Sequence, residues 1–148
     1  VLIRRDQWEL LKVNPEKWQA ATEEFLRFSP SIVSWRRRAL QDAEIGGVAI
    51  PKGANILLLL GSANRDATVF DQPDRLEVDR PNARNHLSFG YGIHFCLGQQ
   101  LSKLEFGIAM RELARRLPSL RLAPDQEFTF AHNTSFRVPT ALHIEWDL

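Results

Sequence analysis

One cysteine, Cys96, occurs in 148 residues, so no disulfide can form within the chain. That usage suits a reducing compartment, and the expected location is cytoplasmic. A surplus of either charge is missing too: 19 basic and 18 acidic residues leave a formal charge of +1. This gives no electrostatic case for nucleic acid or an acidic membrane. Apolar runs are short, and residues 56–60 fall far below the length of a membrane span. No signal-peptide pattern, internal repeat or low-complexity stretch is present. The four histidines, His86, His94, His132 and His143, make no zinc pattern with one cysteine. Ser62, Ser88 and Ser135 lack the context of a nucleophile elbow. What remains is ordinary globular composition, 44% hydrophobic and 25% charged, enough for one packed domain. The chain enters a helical pattern almost at its first residue, as the end of a longer protein would.

Residues 6–13 read as a short amphipathic helix. A second helix is predicted over residues 15–28, with Asn14 as N-cap, Pro15 in the first helical position and a stop before Pro30. Trp18, Ala21, Phe25 and Phe28 form its apolar stripe. Residues 32–60 change to short apolar runs broken by Gly46-Gly47 and Pro51-Lys52-Gly53, the pattern of a small twisted sheet. A helical turn is predicted at 62–66. Residues 67–85 carry no period, yet Phe70, Leu76 and Val78 would anchor them as an ordered coil. The longest helix is predicted over 98–117, ended by Pro118. It shows two apolar stripes, Leu97, Leu101, Leu104, Ile108 and Phe106, Met110, Leu113, Leu117, so it is expected to be largely buried. Strand candidates follow at 127–130, 136–138 and 143–146. The fold class is mainly α with small β-sheets, an α+β arrangement.

Phe89-Gly90-Tyr91-Gly92-Ile93-His94-Phe95-Cys96-Leu97-Gly98 is the most informative stretch. A lone cysteine is more often a small buried hydrophobe than a ligand. Here it stands in a glycine-rich loop directly before a long helix. Gly90, Gly92 and Gly98 would let the backbone take conformations closed to other residues and bring amide groups near the sulfur. The positive end of the helix would favour a thiolate. This stretch resembles the haem-binding loop of the cytochrome P450 family, F-G-x-G-x-(H/R)-x-C-x-G, at every fixed position. No parallel βαβ unit surrounds the glycines, which sets aside a dinucleotide fingerprint.

The resemblance implies that residues 1–148 are the C-terminal haem-binding portion of a cytochrome P450 domain of the bacterial, soluble type. It implies haem b, iron protoporphyrin IX, with Cys96 as axial ligand, whose donation favours O–O cleavage. Phe89 would pack on the porphyrin and keep water off the sulfur. His94 would reach a propionate, shared with Arg37 of Trp35-Arg36-Arg37-Arg38; His86 is a further candidate. Read on its own, that basic run is a solvated face rather than a nucleic-acid patch. Glu24 and Arg27, three apart on one helix face, match E-x-x-R. In the family this pair is structural, locked to an arginine of the coil, here Arg80 with Arg75 as the alternative. No catalytic residue beyond the haem ligand is expected in this segment. The implied activity is monooxygenation of an apolar small molecule with O2 and electrons from a ferredoxin-type donor, docking near Lys103, with Arg111 and Arg115 further along. Residues 31–34 and 134–136 would border the substrate. The alternatives are a non-catalytic haem-binding fragment, and a haem-thiolate enzyme with peroxygenase or oxidative-coupling chemistry. The distal helix of the family has no counterpart here, so the isolated chain is expected to be inactive and poorly soluble. No membrane or nucleic-acid partner is expected.

Overall fold

The computed structural model describes residue 2 and residues 4–147. Three helices build the core: α1 (Arg5–Val13), α2 (Trp18–Phe28) and α4 (Gln99–Arg116). Trp8 and Leu11 of α1 and Trp18, Ala21 and Phe25 of α2 are buried together with Ala114 and Leu120. Aromatic edges set the spacing: Trp8 meets Trp18 at 5.8 Å between ring centroids, and Phe25 meets Phe106 of α4 at the same distance, both close to T-shaped. Leu76 and Val78 of the coil complete this cluster, and Phe70 is buried elsewhere along the coil.

Asn14 does not cap the second helix. Its side chain turns back and donates to the Leu10 carbonyl at 2.8 Å, closing the end of α1. Pro15 opens a single 3-10 turn, Pro15–Lys17, that leads into α2. The expected small sheet is two separate antiparallel ladders. β1 (Trp35–Arg38) pairs with β4 (Asn55–Leu58), Trp35 opposite Leu58 and Arg38 opposite Asn55. β2 (Ala43–Ile45) and β3 (Val48–Ile50) form a hairpin across Gly46 and Gly47 that carries little buried surface. The helical turn α3 (Leu60–Ala63) begins earlier than the 62–66 expectation.

In the tail, β5 (Arg121–Leu122) pairs with β6 (Ile144–Glu145). Of the strands expected at 127–130 and 136–138, isolated bridges are formed: Phe130 with Pro139, and Phe136 with Ile32. α4 departs from expectation as well. Phe106, Met110, Leu113 and Leu117 pack on the core, but Leu97, Leu101, Leu104 and Ile108 are exposed. No helix among the described residues is long and apolar enough to cross a membrane.

Candidate functional site

The α2 helix carries a buried ion network next to its apolar stripe. Arg27 grips Glu24 with two parallel bonds, Nε to Oε2 at 2.7 Å and Nη2 to Oε1 at 2.8 Å. Arg80 donates from Nε to both oxygens of Glu24 at 3.1–3.2 Å, and the Glu77 amide adds a bond of 2.9 Å. The side chains of Glu24 and Arg27 are wholly enclosed. The remaining guanidinium hydrogens go to backbone carbonyls: Arg27 to Asn64, Pro73 and Arg75, and Arg80 to Asp71, Gln72 and Arg75. Arg75 therefore contributes its carbonyl, while its side chain faces solvent beside Glu77. Two arginines thus hold the coil by its main chain.

Asn64 links this network to the cysteine loop. Fully buried, it accepts the Leu87 amide on Oδ1 at 2.7 Å and donates from Nδ2 to Ser88 Oγ at 2.9 Å. Ser88 Oγ in turn donates to the Leu26 carbonyl of α2 at 2.7 Å. The chain then enters residues 89–98. Gly90 and Gly92 stand at φ +76° and +72°, a region that disfavours side chains. Gly98 does not: its φ is −84°, a conformation open to any residue, so the expected special backbone conformation is absent there. The Cys96 amide donates to the Phe89 carbonyl at 2.9 Å and closes the loop.

Cys96 opens onto a cleft of about 920 Å³. Phe89, Gly90, Tyr91 and His94 line it from the loop, and Trp35, Arg37 and Leu58 from the β1–β4 ladder. Strand alternation brings Trp35 and Arg37 to the same face of β1, which breaks the arginine run into two faces. Ile32 and Phe136 close the cleft at the tail bridge, where Trp35 and Phe136 meet edge to face at 6.4 Å. Ser31 also lines it, but Ser34 is buried, donates to the Thr134 carbonyl, and borders a separate cavity with Thr134. The donor set fits haem: soft sulfur for iron, a guanidinium and an imidazole for two carboxylates, and apolar walls for a macrocycle. No cluster of three or more ordinary metal-ligating side chains exists among the described residues.

Two expected site residues lie elsewhere. His86 does not line the cleft. Its imidazole is buried between Glu23, 3.2 Å from Nε2, and the Ser88 amide, which donates to Nδ1 at 3.2 Å. Burial pushes its pKa below the ordinary value, opposed by the charge of Glu23 and assisted by Lys103. Lys103 is not a free docking cation either: its ammonium lies 2.9 Å from Glu23 and is mostly covered. Glu23 was invisible to sequence reasoning, since its partners lie 63 and 80 positions away.

The model of the family described as Cytochrome P450 matches residues 18–139. A steroid C26-monooxygenase of Mycobacterium tuberculosis is 42% identical over 84% of this chain and 33% of its own length. A nocardicin C N-oxygenase of Nocardia uniformis is 40% identical over 99% of this chain and 37% of its own length. The solved structure of cytochrome P450 CREJ superposes with TM-score 0.95 at 49% identity, covering 99% of this chain and 37% of that one. The chain therefore spans about a third of the length of the relatives it matches, and the match to a haem domain's helices and small ladders agrees with the α+β fold class.

Proposed function

The chain belongs to the cytochrome P450 family, and on that premise we propose that residues 1–148 are the C-terminal haem-binding portion of a haem-thiolate monooxygenase. The observation that carries the proposal is the convergence of Cys96, Phe89, Arg37 and His94 on one cleft. Haem b bound there would supply the redox chemistry by which one atom of O2 enters an organic substrate and the other leaves as water, with two electrons from a ferredoxin-type donor and two protons from solvent. Cys96 gives the iron its thiolate. The ring of Phe89 keeps water from the sulfur. Arg37 and His94 hold the propionates, with Gly90 and Gly92 fixing the loop between them.

Apolar side chains on the ladder and tail, Leu58, Ile32 and Phe136 among them, face the same cleft and suit an apolar substrate. Its identity is not set by this segment: relatives named for a steroid and for nocardicin C share it at nearly equal identity. The donor would dock on the cysteine-loop side. Exposed Arg84 and Arg111 line the groove there and suit an acidic surface better than Lys103, whose charge Glu23 neutralises. The test is the Soret band of the full-length protein after reduction and addition of carbon monoxide. A thiolate-type band that disappears in Cys96→Ser supports the proposal. A histidine-type band, or one unchanged by the substitution, overturns it.

The exposed stripe Leu97, Leu101, Leu104 and Ile108 favours a second statement about the segment by itself. Residues 1–148 expressed alone should self-associate, hold haem weakly and give no coupled oxygenation. Product formed by a stable monomer of this segment would overturn it.

A further inference from the structure

Glu23, His86 and Lys103 meet behind the cysteine loop. Their side chains are 13%, 3% and 23% exposed, unlike an ordinary surface ion pair. Glu23 sits in the middle of α2 next to Glu24, which Arg27 and Arg80 hold in place. Its two oxygens accept Lys103 Nζ at 2.9–3.0 Å. The Ser88 amide occupies Nδ1 of His86, so Nε2 carries the proton and donates to Glu23 at 3.2 Å. Both groups also touch Phe89. The imidazole and phenyl centroids are 5.9 Å apart, and the ammonium lies over the phenyl ring at 5.5 Å from its centroid. Phe89 faces the cleft of Cys96, whereas Glu23 and Lys103 face the neighbouring groove between α2 and α4. The ring therefore stands between the cluster and the sulfur loop, and its own carbonyl accepts the Cys96 amide.

We propose that Glu23, Lys103 and His86 form a clamp that fixes the Phe89 ring against the cysteine loop, which makes Lys103 a positioning residue of the thiolate site. This rests on the haem-thiolate reading above. A ring held from behind excludes water from the sulfur. A loosened ring admits water, which donates a hydrogen bond to the thiolate, draws electron density from it and raises the reduction potential of the iron it ligates. Loss of the Lys103 charge acting through space would do the opposite. Removing a cation favours the ferric state and lowers the potential.

The sign of the shift therefore decides. Midpoint potential and the carbon monoxide Soret band are recorded for the haem-loaded full-length protein as wild type, Lys103→Met, Lys103→Arg, Phe89→Leu and the Lys103→Met/Phe89→Leu double variant. Lys103→Met should shift the potential upward, Lys103→Arg should restore it, and the upward shift should vanish in the Phe89→Leu background. A downward shift, no shift, or an equal rise in both backgrounds overturns the clamp. Should Lys103→Met fail to fold, Glu23→Gln releases both the ammonium and the imidazole, but losing an anion raises the potential through space in any background. It is therefore judged beside Glu23→Gln/Phe89→Leu: a rise that vanishes in the Phe89→Leu background supports the clamp, and an equal rise in both overturns it. The wild-type spectrum separates the two levels. A wild type without a thiolate band overturns the haem-thiolate reading, and one that has it leaves the variants to judge the clamp alone.

Discussion

The α2–coil region and the cysteine loop with the first half of α4 treat their polar and apolar groups in opposite ways. Around Glu24, Arg27 and Arg80 the charges are enclosed and directed to partners within the chain. Around Cys96 the thiol, His94 and the Leu97–Leu101–Leu104–Ile108 stripe are exposed. The first region is finished by its own residues. The second presents chemistry and apolar surface outward, which suits a site completed by a bound group and further structure. Stability and function are thus carried by different parts of the segment, joined through Asn64.

The largest expected effect tests the enclosed region. Glu24→Ala leaves two buried guanidinium groups without their carboxylate, and should cost about 3–5 kcal/mol. Cys96→Ser, at an exposed position, should change stability by less than about 0.5 kcal/mol. Urea midpoints of the two variants measure the contrast, and equal losses would erase the division between the regions. Asn64→Ala comes next. It strips the Leu87 amide and one bond of Ser88 of their partner, at about 1–3 kcal/mol. Hydrogen exchange at the Leu87 amide should speed up, and an unchanged rate would remove Asn64 as the joint.

A smaller effect is expected on α4. Leu101→Gln and Leu104→Gln should each alter stability by under about 0.5 kcal/mol while reducing self-association in light scattering. Leu113→Gln, on the packed stripe, should destabilise clearly more. The smallest effect belongs to His86. Its folded-state pKa is lowered by burial, so the unfolded chain binds the proton more readily. Its contribution is complete above the ordinary imidazole value of about 6.5 and is lost as pH falls from there toward the depressed folded value. His86→Gln should flatten that part of a stability–pH curve, and an unaltered slope would count against the buried neutral imidazole.

What the sequence made legible follows from the range of the interactions. The E-x-x-R pair declares itself because residues three apart on a helix share a face. Gly90 and Gly92 declare themselves because the loop needs positive φ there. The Glu23–Lys103 pair does not, since the polar strip of one helix says nothing about a carboxylate arriving from another. Lys103 is expected at the donor's docking surface for that reason, and His86 at the cleft because it is near Phe89 in sequence. The tail shows the same limit. Residues 127–130 and 136–138 are strand candidates, but pairing needs a partner along the whole run, and single bridges form instead. Arg121–Leu122 is too short to show any period, yet it pairs. The two stripes of α4 predict two buried faces, but burial of each depends on what lies opposite.

The grip of Arg27 and Arg80 on the coil has a consequence for how this segment can vary. Their contacts from Asn64 to Arg75 are made with peptide carbonyls, which every amino acid supplies alike. The side chains of Asp71 and Arg75 are therefore open to exchange without loss of those bonds, whereas either arginine is not, and Gln72 at φ +42° and Pro73 carry a backbone demand of their own. The path of residues 71–75 is held largely by two positions outside it, one of them far away on α2. A family of such chains could drift along this stretch, in length of side chain, charge and polarity, and still lay down the same curve.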